Sequence, residues 1–177
     1  MREDAKTSDP RLRRLARAIE SLADKDELLL KRTREIDGLR RSAADEIFAV
    51  CAGFVDALNA LLPEPLVVLD PPAFTHDRFN DDAPNLIQIN VRGRILQIAY
   101  EATPDLLSTE DFRLPYTLSG SIRAFNQALL DKDLIEEQLL FYTVERHQAM
   151  WRYFDARTYR SGAFERDYLI GLMDQLL

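Results

Sequence analysis

The feature that most constrains this chain is a long run without proline between Pro10 and Pro63. Within it, apolar residues recur at alternating steps of three and four, the spacing of a helix with one apolar face. Asp9 is a favourable N-cap, and Pro10 suits the first helical position. The sequence therefore predicts helix over residues 9–62.

In heptad notation every d position of this run is apolar, but three a positions in its middle are polar: Asp26, Thr33 and Arg40. Polar a residues weaken a paired seam, and Asp26 would bring like charges together in a parallel pair. Two arrangements fit. One is a nearly continuous helix that needs a partner helix along its length, and the other breaks near residues 23–26. The polar a positions favour the break or a local bend.

After Pro63 the apolar pattern changes to a period of two, with turn residues between short segments. Turns are predicted at Arg92–Gly93 and around Ser119–Gly120, and residues 126–138 suit a helix as well as a strand. Residues 163–177 predict a final amphipathic helix. The expected fold is therefore α+β, with a long N-terminal helical region, an antiparallel β-meander of about six strands, and a C-terminal helix packed on the sheet.

Charge suggests two parts, a charged helical extension over residues 1–42 with a coiled-coil-like pattern, and a single α+β domain over residues 43–177. The extension carries 12 Lys and Arg against 9 Asp and Glu, whereas the domain carries 11 against 21. An acidic domain repels nucleic acid and anionic membranes. The bases of the extension alternate with acids and have no aromatic neighbours for base stacking, so nucleic-acid binding is not expected. Without a signal peptide or an apolar run of membrane length, we expect a cytoplasmic protein.

The sequence predicts no catalytic residue, metal site or cofactor. It contains no nucleotide-binding, serine-hydrolase, zinc-protease or Cys-x-x-Cys motif. Cys51 lies in the most apolar helix, where a thiol behaves as a small hydrophobe. The acidic loop around His76 and Asp81 lacks the ligand spacing of an EF-hand. We therefore expect a non-enzymatic protein rather than an enzyme.

Four polar residues are candidates for binding a ligand. Arg123 and Arg152 lie within predicted strands, His147 lies at a strand turn, and Tyr142 offers a hydroxyl group. A pocket between the sheet and helix 43–62 would let them bind a small molecule, either as a binding protein or as an enzyme. Cross-strand pairing of the arginines with acids such as Glu101 is the favoured alternative.

The last two strands are apolar on both sides, so both sides need cover. The chain's own helices could provide it, but a second subunit is favoured, with contacts from Trp151 and Tyr153 of the sheet and from Leu29 and Ile36 of the helix. We therefore expect a homodimer, or a contact with another protein. The predicted function is a self-associating protein-interaction module, chaperone- or adaptor-like.

Overall fold

The computed structural model describes residues 9–107, 115–132, 135–145 and 148–177. The described helices are α1 (Pro10–Leu61), α2 (Gln127–Asp131) and α3 (Arg166–Leu176). The described strands are β1 (Val67–Asp70), β2 (Asn85–Val91), β3 (Arg94–Leu107), β4 (Tyr116–Phe125), β5 (Glu136–Glu145), β6 (Gln148–Asp155) and β7 (Arg160–Ala163). The predicted fold class is confirmed, since a long N-terminal helix precedes an antiparallel sheet on which the C-terminal helix packs.

Helix α1 is continuous over 52 residues. Residues 23–26 are helical, so the break predicted there is wrong. None of these four residues is glycine or proline, and polar residues at a positions alter packing rather than the backbone hydrogen bonds that sustain a helix. The chain still divides into two compact units. The N-terminal unit ends at Gly38, and the C-terminal unit comprises Leu39–Leu177, whereas the sequence predicts the division after residue 42.

The sheet is a meander in which each strand pairs antiparallel with the next, in the order β1 to β7. The predicted turn at Arg92–Gly93 is confirmed, and both residues have positive φ, 50° and 89°. Two consecutive residues of positive φ are typical of the tight turn between two paired strands, whose twist they match.

The hairpin predicted around Ser119 and Gly120 is wrong, because β4 runs straight through both residues. Gly120 lies in the middle of the sheet, opposite Tyr100 of β3 and Leu140 of β5. A Cβ added to Gly120 would lie 2.7 Å from the Cα of Tyr100 and would collide with the carbonyl oxygen of Ala99. Glycine therefore serves a close approach of two strands here, and not a turn.

Two further segments differ in detail from the sequence prediction. A loop is predicted through Ser161 and Gly162 and a helix from Ala163, but residues 160–163 form β7 at the edge of the sheet and pair with β6. The ambiguous residues 126–138 divide between α2 and the start of β5, with residues 133 and 134 outside the described residues. In both segments, pairing with a neighbouring strand determines where the strand forms, and the local sequence propensity does not.

One face of the sheet, the inner face, packs against helix and forms the core. Buried side chains of the inner face include Leu96, Ile98, Leu118, Ile122 and Leu140. The buried residues of the two long helices are Ala43, Ala44, Ile47, Cys51, Phe54 and Val55 of α1, and Leu169, Leu172, Met173 and Leu176 of α3. All of these side chains belong to one core cluster.

Arg40 anchors α1 to the sheet at the point where the buried part of the helix begins. Its Nε donates to the carbonyl oxygen of Thr117 at 3.2 Å, and a terminal nitrogen donates to the carbonyl oxygen of Thr103. The register of β4 and β5 shifts between Tyr116 and Leu118, immediately beside this carbonyl group. Arg40, a polar a position in the sequence, is therefore part of the sheet contact within the C-terminal unit.

The close approach at Gly120 makes a testable prediction. We expect Gly120→Ala to lower the free energy of unfolding by about 3 kcal/mol, because its Cβ meets backbone atoms that cannot move aside. Gly53→Ala is the matched control, since nothing lies within 4 Å of its added Cβ and alanine favours the helix by about 1 kcal/mol. Chemical denaturation of both variants measures the difference, and equal stability of the two would contradict the assignment.

Candidate interaction surfaces

The N-terminal unit carries an apolar stripe whose side chains are exposed. This leucine stripe consists of Leu12, Leu15, Ile19, Leu22 and Leu29, and every residue from 9 to 35 is exposed. Their exposed fractions range from 56% for Leu15 to 62% for Leu12 and Leu29. Large apolar side chains aligned on one side of a helix are unusual in water unless another surface covers them.

Beyond the leucine stripe the heptad pattern continues toward the C-terminal unit, and its a and d positions hold polar as well as apolar residues. The predicted contact residue Leu29 belongs to the stripe, while Ile36 is half-buried. Thr33, a polar a position, donates its hydroxyl to the carbonyl oxygen of Leu29 at 2.9 Å. This bond satisfies the hydroxyl within the helix and leaves the threonine methyl group available for apolar contact.

Trp151, predicted to lie at a subunit interface, belongs to the core. Only 5% of it is exposed, and its Nε1 donates to the carbonyl oxygen of Ala43 in α1 at 2.7 Å. Its ring lies between those of Tyr100 and Tyr142, with centroids 5.1 and 5.3 Å away. A second subunit has no access to this ring, so the expected contact through Trp151 needs correction.

Tyr153, the other predicted contact residue of the sheet, is also covered by the chain itself. Its ring stacks on that of Tyr168 in α3, with the centroids 3.9 Å apart and the planes 8° apart. Gly162 of β7 lies against the same ring, leaving no room for a side chain there. Tyr153 therefore attaches α3 to the sheet.

The opposite face of the sheet, the outer face, carries a second apolar cluster. Tyr116, Phe141 and Phe154 are each 6% exposed, and Leu139 packs against them. The predicted two-sided apolar character of β5 and β6 is thus confirmed. Both sides are nevertheless covered within a single chain, because α1 and α3 cover the inner face and the outer rings are buried without a second copy.

The three predicted ligand-binding residues that the structure describes, Arg123, Arg152 and Tyr142, are not brought together. Arg123 donates from Nε to Glu137 Oε2 at 2.7 Å, directly across from it on β5. This is the cross-strand pairing favoured in the sequence analysis, with Glu137 in place of Glu101. Arg152 lies opposite Phe141, four residues further along β5, and contacts the sulfur atom of Met150 at 3.9 Å. His147 lies outside the described residues.

Tyr142 lies on the inner face, away from both arginines. Its hydroxyl donates to Glu46 Oε1 at 3.4 Å. Burial and the nearby carboxylate raise the pKa of Tyr142 to about 12, so the phenol stays protonated at neutral pH. Burial also raises the pKa of Glu46, although the hydrogen bond from Tyr142 opposes that shift. Tyr142 therefore links α1 to the sheet.

Most of the space between the sheet and helix 43–62 is filled with core side chains, among them Ile47, Cys51 and Phe54. A pocket of about 230 Å³ remains near the end of the helix, and its lining residues are Phe54, Leu58, Leu62, Leu66, Val67, Val91, Ile170, Met173, Asp174 and Leu177. A groove of about 440 Å³ lies elsewhere, across β3, β4 and β5. Its lining residues are Pro84, Ala99, Tyr100, Glu101, Tyr116, Ser119, Gly120, Ser121, Glu137, Leu139 and Phe141. The sequence analysis missed this groove because it placed a turn at Ser119–Gly120. The alternation of Leu118, Ile122 and Ala124 through Gly120 is the signal that predicts one strand there.

Polar side-chain contacts attach the acidic loop before β2 to α1. Asp81 Oδ2 lies 3.2 Å from a terminal nitrogen of Arg41, and His76 Nδ1 lies 3.5 Å from Asp45 Oδ2. Across the described ranges, no three His, Cys, Asp or Glu residues cluster in a way that would hold a metal ion. Cys51 is fully buried, and burial raises the pKa of its thiol to about 12.

Comparisons with protein-family models, curated proteins and solved structures find no match to this chain. Among the helices in the described part of the chain, none is long and apolar enough to cross a membrane. The function must therefore be inferred from the geometry of the surfaces described above.

The position of Trp151 can be tested with a single substitution. We expect Trp151→Phe to lower the free energy of unfolding by about 2–3 kcal/mol, because the carbonyl group of Ala43 loses its donor and a cavity forms. The oligomeric state should not change, since the ring is internal. Tyr159→Phe is the control, because Tyr159 is 76% exposed and should shift stability by less than about 0.5 kcal/mol. A change of oligomeric state in Trp151→Phe with unchanged stability would contradict the core assignment.

Proposed function

We propose that this chain is a self-associating protein-interaction module whose contact surface is the leucine stripe of the N-terminal unit. The observation that carries the proposal is the exposure of five regularly spaced apolar side chains on one side of a continuous helix. A helix of this kind obtains most of its stability from packing its apolar side against another surface. No residue in the described part of the N-terminal unit is buried, so that packing has to come from another molecule or from residues outside those described.

The size of the stripe supports self-association on energetic grounds. From Leu12 to Leu29 it extends for about 26 Å along the helix axis. Full burial of a leucine or isoleucine side chain contributes roughly 1.5–3 kcal/mol. Five such side chains, each already partly covered by its neighbours, would together contribute several kcal/mol, enough to offset part of the entropy lost on association.

The sheet supports the same proposal by what it does not require. Trp151 and Tyr153 pack against other residues of the same chain, and the described outer-face rings of Tyr116, Phe141 and Phe154 are buried. We therefore propose the helix as the contact surface, in contrast to the sequence-based expectation that included Trp151 and Tyr153. The C-terminal unit is then the folded body that the helix brings together with others, as in an adaptor.

The proposal predicts a specific effect of charge within the stripe. We expect the full chain to sediment as an oligomer at micromolar concentration, and we expect Leu22→Glu to weaken that association at least about 100-fold, because a carboxylate replaces a contact leucine. Leu28→Glu is the matched control, since Leu28 is 67% exposed but lies outside the stripe. Analytical ultracentrifugation measures both variants. A wild-type chain that remains monomeric at high micromolar concentration would contradict the proposal.

Small-molecule binding is a second candidate function, favoured by the groove on the outer face. The groove is lined by the apolar side chains of Leu139 and Phe141 and by the carboxylates of Glu101 and Glu137. A ligand with an apolar part and a polar part fits such a site.

A panel of common metabolites should then contain at least one that raises the melting temperature, and Ser121→Trp, which fills the groove, should abolish that shift. Gln97→Trp, on the same face but outside the groove, should preserve it. A panel without any shift would remove this candidate.

A further inference from the structure

We infer that the leucine stripe pairs with the same stripe of a second copy of this chain, as a parallel and in-register two-stranded coiled coil over residues 12–36. The inference rests on the proposed self-association and adds the identity of the partner and the direction of the two helices. It depends on three observations, which concern the polar a positions, the flanking e and g positions, and Asp26.

Two of the three polar a positions do not oppose such a seam. Arg40 makes hydrogen bonds to the carbonyl groups of Thr103 and Thr117, which keep its guanidinium group at the sheet. Thr33 donates its hydroxyl to the carbonyl oxygen of Leu29 within the helix, so its methyl group can face a second helix. Between residues 12 and 36, Asp26 is then the only charged residue at an a or d position.

The residues beside the seam select the direction of pairing. The g positions are Arg11, Ala18, Lys25 and Arg32, and the e positions are Ala16, Ala23, Leu30 and Asp37. The g positions hold no acid and the e positions no base. In a parallel pair each g position faces an e position of the second copy, which places Arg32 opposite Asp37. In an antiparallel pair g faces g, so arginine and lysine side chains would oppose one another.

Asp26 fixes the alignment of the two helices in this arrangement. In a parallel pair the two Asp26 side chains share one layer and their like charges repel, but Lys25 of each copy lies at the flanking g position, where its positive charge offsets part of that repulsion. An antiparallel pair would instead place each Asp26 against a leucine, and so would spoil two apolar layers rather than one. A single polar a residue lowers the stability of a coiled coil but specifies its register and orientation.

Disulfide cross-linking tests the direction of pairing in the full chain. Leu29→Cys should form a cross-linked dimer with itself under mild oxidation, and so should Leu12→Cys, since identical positions face each other in a parallel pair. A mixture of the two variants should give no disulfide between positions 12 and 29. Leu28→Cys, on the outside of the helix, is the control and should not cross-link. The native Cys51 is fully buried and does not compete.

Each of the other cross-linking and association results would overturn a different part of the proposal. A mixed disulfide between positions 12 and 29 without self-cross-linking would overturn the parallel direction in favour of an antiparallel pair and leave self-association intact. A wild-type chain that associates while neither variant cross-links would overturn the register. A monomeric wild-type chain would instead overturn the proposed function, and the inference with it.

Charge reversal gives an independent test with effects of opposite sign. In the parallel pair, Arg32→Glu places a carboxylate opposite Asp37 at two symmetric positions and should weaken association by roughly tenfold. In an antiparallel pair the same change would relieve repulsion and strengthen association. Lys31→Glu makes the same change of charge on the outer side of the helix and should have little effect. Sedimentation equilibrium at low salt measures the dissociation constants, and stronger association of Arg32→Glu would overturn the proposed direction.

Discussion

The packing of residues 43–55 of α1 against the inner face of the sheet is the interaction on which the rest of the structure depends. This part of the helix buries six side chains against the central strands. Two directional bonds locate it, one from Trp151 to the carbonyl group of Ala43 and one from Arg40 to that of Thr117. Apolar burial supplies the free energy, but it does not specify position along the helix axis. The hydrogen bonds, which lose strength steeply when misaligned, supply that position.

The same packing decides which surfaces remain available for function. It uses the inner-face aromatic residues of β6 internally, with Trp151 against α1 and Tyr153 against α3. Residues 9–35 of the same helix are exposed, and their apolar stripe is exposed with them. One helix thus combines a buried segment that completes a core with an exposed segment that has the spacing of a coiled coil. This contrast between the two segments is the basis of the proposed self-association.

Much of the fold could be predicted from the sequence, because the helix and most of the strands have clear periodicity. The sequence-based predictions failed where the same type of residue is found in two different local structures. Gly120 suggested a turn but serves the close approach of β3 and β4. The segment 23–26 suggested a break, yet it contains no glycine or proline that would end a helix. The site predictions failed for a related reason, since neighbouring strands determine which acid Arg123 meets and which face Tyr142 occupies.

The sequence by itself determined the periodic elements, the α+β class and the heptad spacing of the apolar stripe, because these depend on local geometry along the chain. Tertiary structure alone decided which apolar residues are covered. Trp151 and Leu22 are both large and apolar, and only packing between distant segments makes the first 5% exposed and the second 59% exposed. Burial depends on residues far away in sequence, such as Ala43 beside Trp151, and the spacing of residues within a single element does not reveal those contacts.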